Sequence, residues 1–143
     1  MTLLHHISLP VRELDRSRAF YRDVIGLTER PRPGFSSPGA WFSVGDRHLH
    51  LSANPNGTFR TRPVVDPIDT HQAFSVTAFD AEVSRIVSLG YRIVVFKGAV
   101  TARTDDDLMC ISVDRGSPAG FFQAFLLDPD WHIVELNDAP LGP

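Results

Sequence analysis

The stretch His6-Ile7-Ser8-Leu9-Pro10-Val11 is echoed by His71-Gln72-Ala73-Phe74-Ser75-Val76. Each sets a valine five residues after a histidine, and a helix-like segment follows each. The endings of the two stretches match as well. His48-Leu49-His50-Leu51 stands beside His132-Ile133-Val134-Glu135-Leu136, which aligns His50 with Glu135. The chain reads as a duplicated unit with a ligand-type side chain at both ends of each copy. Such a repeat builds one metal site from two halves.

Outward from these stretches, residues 3–11 alternate as a strand does, and residues 13–25 read as a helix anchored by Leu14, Phe20 and Val24 and stopped by Gly26. Pro31, Pro33, Gly34, Pro38 and Gly39 make 31–39 a loop. Trp41 to Val44, Gly45-Asp46 and Arg47 to Ala53 predict a hairpin. The first module spans about 1–55, a linker 56–70, the second module 71–137 and a tail 138–143. In the second module, residues 71–78 read as a strand. Asp80 is the expected N-cap of a helix carrying Val83, Ile86 and Val87 on one face and ended by Gly90. Tyr91 to Phe96, Leu108 to Val113, Phe121 to Leu127 and 132–137 read as strands, with Asp128-Pro129-Asp130 turning into the last. The β-α-β-β-β order thus recurs. The second copy is longer, its surplus falling mainly in 97–120, a surface or substrate-facing loop holding Arg103 and Asp105 to Asp107.

Composition narrows the function. At 143 residues, the chain suits a single domain built of two modules. Hydrophobic residues at 43% and charged residues at 22% are globular values. A net charge of −3 carries no basic footprint for nucleic acid. No apolar run is long enough to span a membrane, and the N-terminus does not read as a signal peptide. Cys110 is the single cysteine, which excludes an internal disulfide and fits a cytoplasmic location. Within Leu108-Met109-Cys110-Ile111 it reads as an inert buried thiol. Phe121, Phe122 and Phe125 read as core, and the arginines, Arg60 and Arg115 among them, as solvated charges.

Strand parity sorts the candidate ligands. Alternate residues point to opposite faces, so His6, Ser8 and Pro10 share a face, as do His48, His50 and Ser52. His71, Ala73 and Ser75 share a face, and so do Ile133, Glu135 and Asn137. Large aliphatic residues favour the other face, where amphipathic helices would pack, leaving the ligands among small or polar neighbours. Two such sheets would form a cup on which His6, His71 and Glu135 converge. Imidazole and carboxylate donors suit a divalent Zn, Fe, Co, Ni or Mn ion, and three ligands leave positions open for a substrate. His50 is a fourth ligand or a base beside the metal.

The pattern His-Ile-x-Leu-x-Val followed by a helix with Ser17 and Phe20-Tyr21, joined to Asp128-Pro129-Asp130-x-His132-x-x-Glu135-Leu136, resembles the vicinal oxygen chelate superfamily. That superfamily includes glyoxalase I, extradiol dioxygenases, methylmalonyl-CoA epimerase, fosfomycin-resistance thiol transferases and bleomycin-binding proteins. The resemblance implies an α+β fold of paired βαβββ modules forming a cup-shaped, partly open β-barrel with helices outside. It implies His6, His71 and Glu135 as metal ligands, and a homodimer. The position of His50 carries Glu in bacterial glyoxalase I and Gln in the epimerase. Trp131 stands where the family usually has Gly, which implies a ring packed on the surface or at a subunit contact. The expected activity is a metal-dependent lyase or isomerase acting on a small oxygenated substrate, with Glu135 and His50 as catalytic groups and His48, Ser8 and Ser75 lining the substrate site. An Fe(II) extradiol-type dioxygenase and a metal-free small-molecule binding protein are the alternative readings.

Overall fold

A computed structural model describes residues 1–95, 100–101 and 108–140. Phe96, Arg103, the Asp105 to Asp107 turn and the last three residues of the expected tail lie outside the described residues. Packing divides the chain into two compact units, one ending at Phe59 and the next beginning at Arg60.

The first unit contains β1 (His6–Val11), α1 (Leu14–Ala19), β2 (Thr28–Arg30), β3 (Gly39–Val44) and β4 (Arg47–Ala53). The helix runs on beyond Ala19 as a π-helical turn, Phe20–Val24. It ends where predicted: Gly26 takes φ +82°, and the Leu27 amide closes onto the Tyr21 carbonyl at 2.9 Å. This is the left-handed stop that a residue without Cβ makes without strain. The four strands order as β1-β4-β3-β2. β1 and β4 run parallel, with His6 opposite His48 and Ser8 opposite His50. The Gly45-Asp46 turn joins β3 and β4 antiparallel and puts Trp41 opposite His50. β2 was not foreseen; it pairs with β3 and puts Arg30 opposite Trp41. On one face of this sheet Ala40, Phe42, Leu49 and Leu51 are buried. There Tyr21 meets Phe42 with ring centroids 6.3 Å apart, so the helical segment covers the apolar face as the parity requires.

The second unit repeats the plan and adds a strand. It contains β5 (Val64–Val65), β6 (His71–Ser75), α2 (Phe79–Ser88), β7 (Arg92–Val95), β8 (Val100–Thr101), β9 (Cys110–Asp114), β10 (Gln123–Leu127) and β11 (Ile133–Asn137). Its main sheet orders as β6-β11-β10-β9-β7. The first four strands of that order reproduce β1-β4-β3-β2, with β6 and β11 parallel as β1 and β4 are. β7 is the surplus strand, added parallel to β9 at the edge of the sheet. β5 lies inside the expected linker and pairs with β8, so that segment is not wholly irregular.

Three local expectations change. The N-cap of α2 is Ala78, and Asp80 sits inside the first turn, where its carboxylate pairs with Arg115 at 2.6 Å. Val83 and Ile86 are buried, whereas Val87 is exposed, because the covered stripe follows Phe79, Val83 and Ile86. Cys110 is half-buried at the start of β9, with Arg92 Nη2 3.2 Å from its sulfur.

Trp131 explains itself in this unit. It is the single non-glycine residue with positive φ, at 70°, among the described residues. The left-handed backbone accounts for a glycine preference there. Its ring packs on a buried cluster of Val65, Leu108, Phe125, Leu127 and Ile133 rather than lying on the surface. Asp128, fully buried, shapes the turn by accepting from the Asp130 and His132 amides at 2.8 and 2.9 Å. The expected polar character of the ligand-bearing face is therefore only half right, since Phe125, Leu127 and Ile133 lie on it with Glu135.

Candidate functional site

In the first unit the register aligns Ser8, His50, Trp41 and Arg30 in one row across the four strands. His6 and His48 stand in the next row of the same face. His50 lies between two rings. Trp41 stacks on it at 4.0 Å and 5°, and His6 at 4.3 Å and 17°. The His50 Nε2 atom is buried with no hydrogen-bond partner. Burial, then the neighbouring His6 and His48, push the His50 imidazole down to about 4, so it is neutral at pH 7. His48 is also held below the ordinary histidine range, first by burial and then by Arg30, whose guanidinium donates to its Nε2. His6 is exposed, and its Nδ1 is 2.9 Å from His5 Nδ1, so His5 bonds to a candidate ligand instead of standing apart. Ser8 is exposed beside them.

In the second unit His71 and Glu135 meet. His71 Nε2 lies 3.2 Å from Glu135 Oε2. Glu135 is 4% exposed, and its Oε1 accepts from Gln123 Nε2 at 3.0 Å and Asn137 Nδ2 at 2.8 Å. On the other side of the imidazole, Nδ1 lies 2.9 Å from the Asp69 carbonyl. A carbonyl only accepts, so Nδ1 carries a proton and Nε2 faces the carboxylate. A proton on Nε2 or a cation shared by the two atoms satisfies that approach. Donor atoms bonded to one ion at ~2.0–2.2 Å and roughly at right angles stand about 3 Å apart, and the observed separation matches. The carbonyl-oriented imidazole and the pinned carboxylate are also how metal ligands are held by their neighbours. This pair fits a divalent ion on geometry and on donor chemistry. Phe125 sets the edge of the site, its ring 6.3 Å from that of His71. Ser75 turns away to donate to the Ala139 carbonyl at 3.0 Å.

Within the first unit the fit is different. Imidazole lone pairs lie in the ring plane, and near-parallel stacked rings do not aim them at a common point. His6 and His50 are therefore not a chelating pair in this arrangement, and one of them at most serves a given ion. Among the described residues no group of three or more His, Cys, Asp or Glu side chains is gathered to hold a metal.

Sequence reasoning missed Trp41, Arg30, Gln123, Asn137, Asp69 and Arg60. Trp41 was available from the hairpin, since a two-residue turn at Gly45-Asp46 puts it opposite His50. Asn137 shares parity with Glu135. Arg30, Gln123 and Arg60 depend on β2 or on contacts remote in sequence, and Asp69 acts on His71 through its backbone carbonyl, which residue type does not reveal. Arg60, read as a solvated charge, is held by Asp69 and by backbone carbonyls.

Comparison with known proteins places the chain in a family. Residues 3–136 match the family model described as Glyoxalase/Bleomycin resistance protein/Dioxygenase superfamily. Glyoxylase I 4 of Arabidopsis thaliana is 26% identical over 141 residues, covering 95% of this chain and 70% of that protein. Glutathione transferase FosA of Serratia marcescens is 28% identical over 142 residues, covering 97% of this chain and 82% of that protein. Among solved structures, a glyoxalase family protein from Bacillus anthracis superposes with a TM-score of 0.69 at 19% identity, covering 96% and 94% of the two chains. The fosfomycin resistance protein FosX of Listeria monocytogenes superposes with a TM-score of 0.65 at 20% identity, covering 99% and 96%.

Proposed function

Because the chain belongs to the Glyoxalase/Bleomycin resistance protein/Dioxygenase superfamily, we propose that it is a metal-dependent lyase or isomerase acting on a small substrate with two neighbouring oxygens. The observation that carries this reading is the His71–Glu135 pair, an imidazole nitrogen and a carboxylate oxygen facing each other at 3.2 Å with their outer atoms already bonded. His6 is kept as a further donor of the expected ligand set, and it is exposed. A bound divalent cation would supply Lewis-acid polarisation of the paired substrate oxygens.

The chain's own groups divide the remaining work. Glu135 Oε1 is fixed by Gln123 and Asn137, so Oε2 is the atom left to meet the ion, and it would take the substrate proton only on leaving the ion. His50 is too weak a base at pH 7 to compete for that proton. Its unpartnered Nε2 instead offers an acceptor to a substrate hydroxyl. Trp41 holds the His50 ring flat and keeps water from its face. His48 and Ser8 flank His50 on the same sheet face and line the substrate side. A homodimer and a cytoplasmic location accompany this reading as proposals.

The test is metal identification followed by assay. Protein reconstituted separately with Mn(II), Ni(II), Co(II), Zn(II) and Fe(II) is assayed for lactoylglutathione formation, for fosfomycin modification with glutathione, and for oxygen uptake with catechols. The first two assays follow from the glyoxalase I and glutathione transferase relatives. The proposal expects metal-dependent turnover without oxygen uptake, lost on chelation. Oxygen uptake with Fe(II) would move the chain to dioxygenase chemistry. Tight ligand binding by metal-free protein without turnover would make it a binding module.

A further inference from the structure

Arg60 is a heavily bonded arginine of the second unit, and none of its bonds is explained by the proposed chemistry. Its side chain is only 15% exposed. Nη1 donates to the Val64 carbonyl at 2.8 Å and the Trp131 carbonyl at 3.0 Å. Nε and Nη2 donate to Asp69 Oδ2 at 3.1 and 2.9 Å. The other Asp69 oxygen accepts from the Thr70 amide at 2.7 Å. The Asp69 amide in turn donates to the Asp66 carbonyl at 3.1 Å. Residue 69 is thereby fixed by its amide, both carboxylate oxygens and a guanidinium. The one group of Asp69 that points onward is its carbonyl, 2.9 Å from His71 Nδ1. The Trp131 carbonyl held by the same guanidinium lies two residues before Ile133, which pairs with His71 in the sheet.

We propose that Arg60 and Asp69 form a positioning relay that holds a proton on His71 Nδ1 and fixes the ring so that Nε2 faces Glu135. Charge-assisted, multiply bonded guanidinium contacts are rigid. A carbonyl held within hydrogen-bond reach of Nδ1 sets which ring nitrogen carries the proton. Arg60 does not touch the site; it acts through Asp69. The consequence for metal affinity rests on the reading of His71 and Glu135 as metal donors, whereas the consequence for the tautomer does not.

The experiment uses full-length protein labelled with 15N in histidine. Long-range 15N–1H correlation spectra of the metal-free protein, at a pH where the His71 ring is neutral, show which nitrogen is protonated. The His71 signals are assigned by their loss in His71→Ala. Two variants are compared with the parent, Arg60→Gln and Asp69→Asn. The second keeps the Arg60 bonds to the Val64 and Trp131 carbonyls, so it carries the test if the first fails to fold. The parent is expected to show Nδ1–H, and both variants a mixture of tautomers. Co(II) titration is expected to show affinity lowered ~10–100-fold, the usual loss when the group orienting a ligating histidine is removed. A merely structural relay would lower the thermal midpoint and leave tautomer and affinity as in the parent. Asp69→Asn protein that retains the Nδ1–H tautomer overturns the proposal. A parent that binds no Co(II) overturns the donor-pair reading, and the tautomer result still decides the relay.

Discussion

His71 Nε2 stands 3.2 Å from Glu135 Oε2, while the Asp69 carbonyl holds a proton on Nδ1. At a pH where the His71 ring is neutral, Glu135→Gln puts a donor in place of one of two facing acceptors. The new amide nitrogen bonds His71 Nε2, while its carbonyl still accepts from Gln123 and Asn137. Metal-free Glu135→Gln protein is therefore expected to melt at or above the parent, by up to ~1 kcal/mol for one hydrogen bond gained. The same substitution removes a charged ligand and is expected to weaken Mn(II) or Co(II) binding ~100-fold, or ~2.8 kcal/mol. Calorimetric metal titration and thermal melting with and without chelator read both signs. Wild-type metal content in the variant would remove Glu135 from the ligand set.

Trp131 sets backbone strain against packing. Its φ of 70° disfavours any side chain, while its ring covers the cluster around Phe125 and Ile133. Trp131→Ala loses the packing and keeps the strained conformation. Trp131→Gly loses the packing and relieves the strain. Both are destabilised, and the glycine variant is expected to be the more stable by about 1 kcal/mol, the cost of a left-handed non-glycine residue. Denaturant unfolding at fixed temperature ranks them. The reverse order, normal at an ordinary strand or helix position, would mean the turn is not left-handed.

The repeat was legible because period-2 patterning survives in single strands: His6 and His50, and His71 and Glu135, fall on the faces that parity assigned them. The turn Asp128-Pro129-Asp130 was legible because its side chains make the bonds locally. What escaped notice lacks a local signal. Thr28-Glu29-Arg30 is short and polar, and becomes a strand only by pairing with β3. Asp80 looks like a cap from sequence alone, but its carboxylate is drawn to Arg115, 35 residues on. Arg60 resembles any surface arginine until Asp69 and the carbonyls of Val64 and Trp131 surround it. Pairings at close range are written in the pattern; those across the sheet are not.

Tyr91 makes stability depend on alkaline pH. Burial alone raises its phenol from the ordinary 10.0 to about 12. The folded state therefore holds the proton where the unfolded chain releases it. Stability from the neutral phenol is fully present below pH 10 and is lost as pH rises from 10 toward 12, by about 2–3 kcal/mol in total. Tyr91→Phe has no proton to lose and is expected to show a flatter decline over that window. Urea unfolding of both proteins between pH 8 and pH 11.5 measures the difference, and parallel curves would show that the phenol ionises equally in both states.

Gly39 is required by the sheet that carries Trp41 and His50. A Cβ at Gly39 would lie 2.5 Å from the Leu51 carbonyl and 2.9 Å from Arg32 Nε. Arg32 is the far end of a flexible side chain and can move. The Leu51 carbonyl cannot, because Leu51 is fully buried in β4 between β1 and β3. The methyl group must then push β3 away from β4 at the row next to Trp41 and His50. Gly39→Ala is expected to destabilise the protein by ~2 kcal/mol, within the usual cost of overpacking. Gly34→Ala is the control: its Cβ meets nothing within 4 Å, so the change is expected to be neutral or stabilising by up to ~1 kcal/mol through the unfolded chain. Denaturation midpoints compare the two. Equal stability would mean that β3 and β4 do not approach as closely at Gly39 as their register requires, and the stacking of Trp41 on His50 would lose its support.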